Sequence, residues 1–157
     1  LVTGVQTCAL PISLHTNTAI GAITRLRDMG IESFLLSTSL LGVIAQRLVR
    51  LLCKECRSSR ACTVAEAELL GCVAGTKIYQ AEGCDSCNQT GYFGRIGIYE
   101  IFAIDEALRQ MVHDGVGEQE MEQHAREKFA SMRSNAVGRV LAGDTTLEEI
   151  LRVTMDD

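Results

Sequence analysis

Tryptophan is absent, proline occurs once, and aromatic residues make up 4% of the 157 positions. Such a chain must build its core from aliphatic side chains, and a lone Pro at position 11 leaves everything downstream free to form helices. Positive charge is also in deficit, since 15 Lys and Arg against 20 Asp and Glu give a net charge of −5. That balance argues against a nucleic-acid partner, because phosphate binding draws on a surplus of Lys and Arg. No apolar run is long enough to span a bilayer; the longest, Phe34 to Ala45, stops at Gln46-Arg47 and reads as a buried helix. No basic region precedes the apolar stretch at the N-terminus, so no secretory signal is read there and a reduced, cytoplasmic setting is expected. The phosphate-cradling pattern G-x-x-x-x-G-K-S/T is missing as well.

What is present is ordinary for a globular protein: 46% hydrophobic and 22% charged residues exclude wholesale disorder. The length suits one domain, or part of a larger one. Residues 1–12 stand apart, with no helical or strand period that continues into the rest of the chain. From Val2 to Ile12 they match the translation of a sequencing adapter, Val-Thr-Gly-Val-Gln-Thr-Cys-Ala-Leu-Pro-Ile. The segment is therefore set aside, together with Cys8, and the gene fragment is expected to begin within a domain. The alternative is a genuine Pro-containing loop.

Downstream, Ala19, Ile20, Ile23 and Leu26 fall on one helical face and predict a helix over Asn17 to Met29, capped by Thr16 or Asn17 and stopped by Gly30. A second helix is predicted over Ser33 to Leu52, with Leu36, Leu40, Val43, Ile44, Leu48 and Leu51 inward. A short helix around Val64 to Leu70 and a strand at Lys77 to Gln80 come next. Tyr92 to Ile104 alternates and is rich in β-branched and aromatic residues, which predicts a strand or hairpin after a turn at Gly91. Asp105 caps a helix ending near Gly115, and Glu118 to Lys128 forms the next. After a break at Gly143, Thr145-Thr146-Leu147-Glu148 reads as a capping box opening the last helix.

Cysteine supplies the strongest chemical signal. Cys53-Lys54-Glu55-Cys56 and Cys84-Asp85-Ser86-Cys87 are two C-x2-C knuckles separated by 27 residues. Each presents two thiolates from one tight turn, and together they complete a tetrahedral all-sulfur shell suited to Zn2+. A redox C-x-x-C is expected once, beside a βαβ unit, and no such unit is visible. A closed four-sulfur shell has no open position, so this zinc braces structure and does not catalyse. Cys62 and Cys72, between the knuckles, read as small buried hydrophobes.

These residues resemble a known family. Leu14-His15-Thr16-Asn17-Thr18 followed by Ala22-Ile23-Thr24-Arg25-Leu26 is similar to the histidine box of the secretion-superfamily ATPases. Leu35 to Leu40, Ala45 to Arg50, the two knuckles, Thr90 to Glu100 and the ending Leu141 to Thr154 continue the likeness, which covers essentially everything after Ile12 and looks most like the type II secretion branch. The resemblance implies an α+β, predominantly helical fold: the C-terminal part of a RecA-like ATPase domain over 13–52, an inserted tetracysteine zinc module with a β hairpin over 53–104, and a C-terminal helical bundle over 105–157. It implies a homo-hexameric motor on the cytoplasmic face of the inner membrane, working with inner-membrane platform proteins to drive pseudopilus assembly. His15 matches the histidine placed near the nucleotide phosphates and is the candidate catalytic residue; Arg25 and Arg47 match recurrent arginines and are candidate nucleotide contacts. ATP and Mg2+ belong to the full-length parent, since the missing phosphate loop leaves this chain catalytically incomplete.

Three other readings stand beside it. The type IV pilus assembly ATPases are a close alternative within the superfamily. A stand-alone zinc module for partner binding would use the basic cluster Arg47, Arg50, Lys54, Arg57 and Arg60, which is otherwise a solvated helix end. A metalloenzyme would need open His ligands, and His113 and His124 lie far from the knuckles in helical, exposed surroundings.

Overall fold

Antiparallel pairing of two strands distant in sequence organises the chain. The computed structural model describes residues 18–154. Strand β1 (Gly42–Leu52) pairs with the strand Tyr92–Ala103 (β4 in chain order), from Gly42 opposite Ala103 to Leu52 opposite Tyr92, with a register shift between Arg50 and Leu52. Along β1 the side chains of Val43 and Val49 are buried, whereas Ile44 and Leu48 point to solvent. This two-residue period corrects the helix predicted over Ser33 to Leu52: only Ser33–Ser39 is helical (α2), and the chain extends from Gly42. The apolar positions fit both periods, and the β-branched pairing partner lies too far along the chain for local pattern to reveal it. Tyr92–Ala103 is accordingly one unbroken strand rather than a hairpin of its own.

Helix α1 (Ala19–Asp28) begins at Thr18, whose hydroxyl accepts the Gly21 N–H at 2.9 Å. Thr18 thus takes the capping role expected of Thr16 or Asn17, which lie outside the described residues. Between the long strands, β2 (Ser58–Ala61) and β3 (Lys77–Gln80) form a small antiparallel pair around α3 (Val64–Leu70). Thr63 and Glu66 make a reciprocal capping box at the start of α3, and Gly71 ends it in the left-handed region with φ 62°. Four helices come after β4: α4 (Glu106–His113), α5 (Glu118–Arg126), α6 (Met132–Leu141) and α7 (Leu147–Thr154). Asp105 caps α4 as expected, its carboxylate accepting the Leu108 N–H at 2.8 Å. At α7 the cap is Thr146, which accepts the Glu149 N–H at 3.2 Å, one position later than the predicted Thr145–Glu148 box.

The β1–β4 ribbon separates two cores. Near Val43 and Phe102, the first core gathers α1, α2, α4 and α5 around Ile20, Ile23, Leu108 and Met121. Near Val49 and Ile98, the second gathers the β2–α3–β3 insert with α6 and α7 around Ile78, Val140 and Ile150. Buried Glu100 on β4 ties helices to the ribbon: its two oxygens accept the N–H groups of Ala19 and Met132, each at 3.2 Å, at the starts of α1 and α6. Among the described residues, no helix is long and apolar enough to cross a membrane.

Candidate metal centre

Because β1 and β4 run antiparallel, the end of one and the start of the other meet at the same end of the ribbon. Cys53 and Cys56 come directly after β1, and Cys84 and Cys87 precede β4. Strand pairing therefore delivers the two knuckles to one place. The Cys53 N–H donates to the Gly91 carbonyl at 2.9 Å, while the Gly91 N–H donates to Cys87 Sγ at 3.2 Å. Gly91 has φ 75°, and a Cβ there would stand 2.6 Å from the Ala81 Cβ, so glycine alone can bridge the knuckles this way. In the second knuckle, residues 85–87 form a single 3-10 turn, and Cys84 donates its N–H to Cys87 Sγ at 3.3 Å.

The four sulfurs lie within 4.8 Å of one another. Cys53–Cys84 is 3.9 Å, Cys56–Cys87 is 3.8 Å and Cys84–Cys87 is 3.7 Å. A tetrahedron of sulfurs with metal–sulfur bonds of about 2.3 Å has edges of about 3.8 Å. Disulfide sulfurs would sit about 2.05 Å apart, so these cysteines are free thiols spaced as a tetrahedral donor set. They can hold a metal ion, and their chemistry and spacing fit Zn2+. Burial pushes the Cys56 thiol up to about 12, and its sulfur neighbours add to that effect. Burial pushes Cys87 the same way, but N–H donors from Cys84 and Gly91 bring it down to about 6. Crowded thiols ionise one at a time; a divalent cation removes that mutual penalty.

Cys62 is buried and Cys72 half-buried, both packed in the second core and away from the tetrahedron, in keeping with their reading as small hydrophobes. His15 lies outside the described residues. Arg25 is exposed on the last turn of α1, while Arg47 on β1 donates to the Val153 carbonyl at the end of α7. Most of the basic cluster turns out to be engaged within the protein. Arg50 forks onto Glu149 at 2.7 and 3.0 Å, Arg57 donates to the Gly143 carbonyl and lies 4.6 Å over the Tyr79 ring, and Arg60 pairs with Glu66. Lys54, the remaining member, is exposed on the first knuckle. His113 is exposed, as expected; His124 is not, being half-buried with Nε2 3.3 Å from Asp105. Neither joins the sulfur cluster.

Two buried carboxylates, Glu100 and Glu149, are organising residues that sequence reasoning passed over. Glu100 could have been found from its parity, since it shares the inward face of β4 with Ile98 and Phe102. Glu149 carries no such signal, because its arginine partner lies on a strand 99 positions away.

The sequence that builds this cluster has counterparts among known proteins. The model of the Type II/IV secretion system protein family matches residues 2–152, and the chain belongs to that family. The match begins inside the adapter-like segment 1–12. Among relatives, the chain is 52% identical over 147 residues to type II secretion system protein E of Aeromonas hydrophila, covering 92% of this chain. The same identity and coverage hold for the protein E of Pseudomonas aeruginosa. It is 48% identical over 146 residues to type II secretion system ATPase E of Vibrio cholerae, again over 92% of the chain. The chain spans 29% of the length of each of these relatives.

Proposed function

We propose that this chain is the C-terminal portion of a cytoplasmic motor ATPase of type II secretion, carrying a structural zinc. The observation that carries the motor reading is identity near one half across 92% of the chain to proteins named for that system. The tetrahedral sulfur spacing carries the zinc reading. In this reading residues 13–52 close a RecA-like nucleotide domain, 53–104 form the zinc module and 105–157 the helical subdomain, while 1–12 are translated adapter.

His15 would then face the nucleotide phosphates in the full-length parent, with Arg25 or Arg47 reaching nucleotide or a neighbouring subunit of a hexamer. Arg47 is the weaker of the two for that role, because its guanidinium serves the Val153 carbonyl. The parent supplies the phosphate loop and the acidic groups that hold Mg2+. It works against inner-membrane platform proteins from the cytoplasmic side, without a nucleic-acid partner. Zinc, once bound, supplies cohesion: its binding free energy is on the order of 10–16 kcal/mol in small zinc peptides.

A hybrid protein tests this. Residues 14–157 replace the matching segment of the Aeromonas hydrophila protein E, and export is scored in cells lacking the native protein. Restored export, lost again with Cys53→Ser, is the expected result. A hybrid that accumulates as folded, zinc-loaded protein and yet exports nothing would sink the motor reading.

A further inference from the structure

The turn between α6 and α7 docks on the end of β1 and on residues that flank the two knuckles. The Leu52 N–H, one peptide before Cys53, donates to the Asp144 carbonyl at 2.8 Å. Arg57, the residue after Cys56, donates to the Gly143 carbonyl. Gly143 itself, with φ 78°, is packed so closely on Tyr79 that a Cβ would stand 2.6 Å from the ring. Tyr92 comes after the knuckle-bridging Gly91, and its hydroxyl lies 2.9 Å from that of Thr146. The Arg50 guanidinium sits 4.0 Å over the Tyr92 ring and forks onto Glu149, which also accepts the Arg50 N–H at 3.1 Å. Thr145 closes the set by donating its hydroxyl to the Arg50 carbonyl at 2.8 Å.

These contacts do two things at once. They satisfy the outward backbone groups of Arg50 and Leu52 at the end of β1, where a strand edge would otherwise be open. They also bury Glu149, whose charge is tolerable only while Arg50 and Arg152 hold it. The hydrogen-bonding anchors all lie close to a knuckle in sequence: 50 and 52 before Cys53, 57 after Cys56, and 92 behind Gly91. Without an ion the knuckles are joined by the Cys53–Gly91 backbone bond and the Ser86 hydroxyl on Glu55, and the four sulfurs stand in contact at 3.7–3.9 Å with nothing to hold them together.

We infer that residues 143–149 form a latch whose closure onto β1 depends on a metal ion in the Cys53–Cys56–Cys84–Cys87 cluster, so that metal occupancy sets whether the turn between α6 and α7 is fastened to the end of β1. The inference rests on the metal-site reading proposed above. It makes the zinc module a lock on the turn that joins α6 to α7, beyond its bracing of the insert. The first core, at the other end of the ribbon, shares neither the knuckles nor the latch and stays closed in either state. Because binding couplings are reciprocal, a loosened latch must weaken metal binding by the factor by which metal tightens the latch.

Two measurements on the whole chain decide it. Hydrogen exchange is compared between the Zn2+-loaded protein and the protein stripped with a chelator. The amides of 143–149 are expected to exchange on the order of ten-fold faster without zinc, in step with those of 53–57 and 84–91, while α4 and α5 keep their protection. Latch amides that ignore zinc removal, or a uniform loss of protection through α4 and α5, would each overturn the inference.

Second, Zn2+ affinity is measured by chelator competition for Glu149→Gln and for the milder Tyr92→Phe, which removes only the hydroxyl. Weakening on the order of ten-fold for Glu149→Gln, and a smaller loss for Tyr92→Phe, is expected although neither residue offers a sulfur. Wild-type affinity in both variants, although exchange shows their latch amides loosened, refutes the coupling alone. Failure of the wild-type chain to bind stoichiometric Zn2+ refutes the metal reading and the latch with it.

Discussion

Arg126 on α5 pairs with Glu100 on β4 at 2.8 Å, and Glu100 is 3% exposed. The same carboxylate caps the first turns of α1 and α6, so one side chain fastens three helices to the ribbon. Arg126 also leans over the Phe102 ring at 5.2 Å and reaches Glu122 on its own helix.

The two partners of this pair do not depend on each other equally. Glu100→Ala is expected to destabilise the protein by about 2–6 kcal/mol, since it orphans two helix-terminal N–H groups and leaves half-buried Arg126 with Glu122 alone. Arg126→Ala should cost less, because the two N–H donors still serve the carboxylate. Denaturant unfolding gives the ranking directly. Equal losses for the two variants would mean that the helix-terminal bonds contribute nothing.

The cysteines divide sharply. Purified protein is expected to hold about one Zn2+ per chain, with X-ray absorption showing four sulfurs at about 2.3 Å. Cys53→Ser or Cys84→Ser should abolish stoichiometric binding and expose the β2–α3–β3 insert to protease. Cys62→Ser, in the second core, should leave zinc content unchanged and lower stability only modestly. Metal analysis finding well under one zinc in protein purified without chelator would count heavily against the site.

How far these features could be read from sequence depended on how local their causes were. The α3 boundaries follow from Thr63, Glu66 and Gly71, all within one turn of the helix they punctuate, and the structure puts α3 and β3 where pattern put them. The paired knuckles were equally plain, since spacing and residue type alone point to a tetrahedral site. Gly42–Leu52 went the other way. Its apolar residues satisfy a helical period as well as a strand period, and pairing with 92–103, invisible to local pattern, decides between them. The roles of Glu100, Glu149 and Gly91 share that nonlocal origin: each is defined by a partner on another element.

Acid should loosen the first core through Asp105. Lys128 Nζ at 2.5 Å, the Leu108 N–H and His124 hold this carboxyl well below the usual carboxylate range. A carboxyl depressed in the folded state stabilises above its unfolded pKa of about 3.9, and that contribution is lost as pH falls further. Asp105→Asn keeps an N-cap acceptor and removes only the charge. The variant is therefore expected to be less stable than the parent at pH 6, with the gap closing below about pH 4. A gap that persists unchanged to pH 2 would show that capping geometry, not charge, is what Asp105 provides.

The outward face of the ribbon sets the association behaviour. Ile44 and Ile101 stand directly opposite each other there, 65% and 55% exposed, and are flanked by Leu48 and Tyr99. Leu41, just before β1, is 83% exposed as well. Uncovered apolar surface of this kind drives non-specific association, and a two-stranded ribbon with one bare face invites it. The chain alone is expected to run as monomer mixed with soluble aggregate, without a defined hexamer. Replacing the facing pair by Ile44→Lys and Ile101→Glu removes the apolar centre and sets opposite charges across the strands, worth about 0.2–1 kcal/mol. The double variant should run as monomer with near-parental stability. Size exclusion with light scattering separates the outcomes: a sharp hexameric peak from the parent chain, or aggregate undiminished in the double variant, would show that another surface governs assembly.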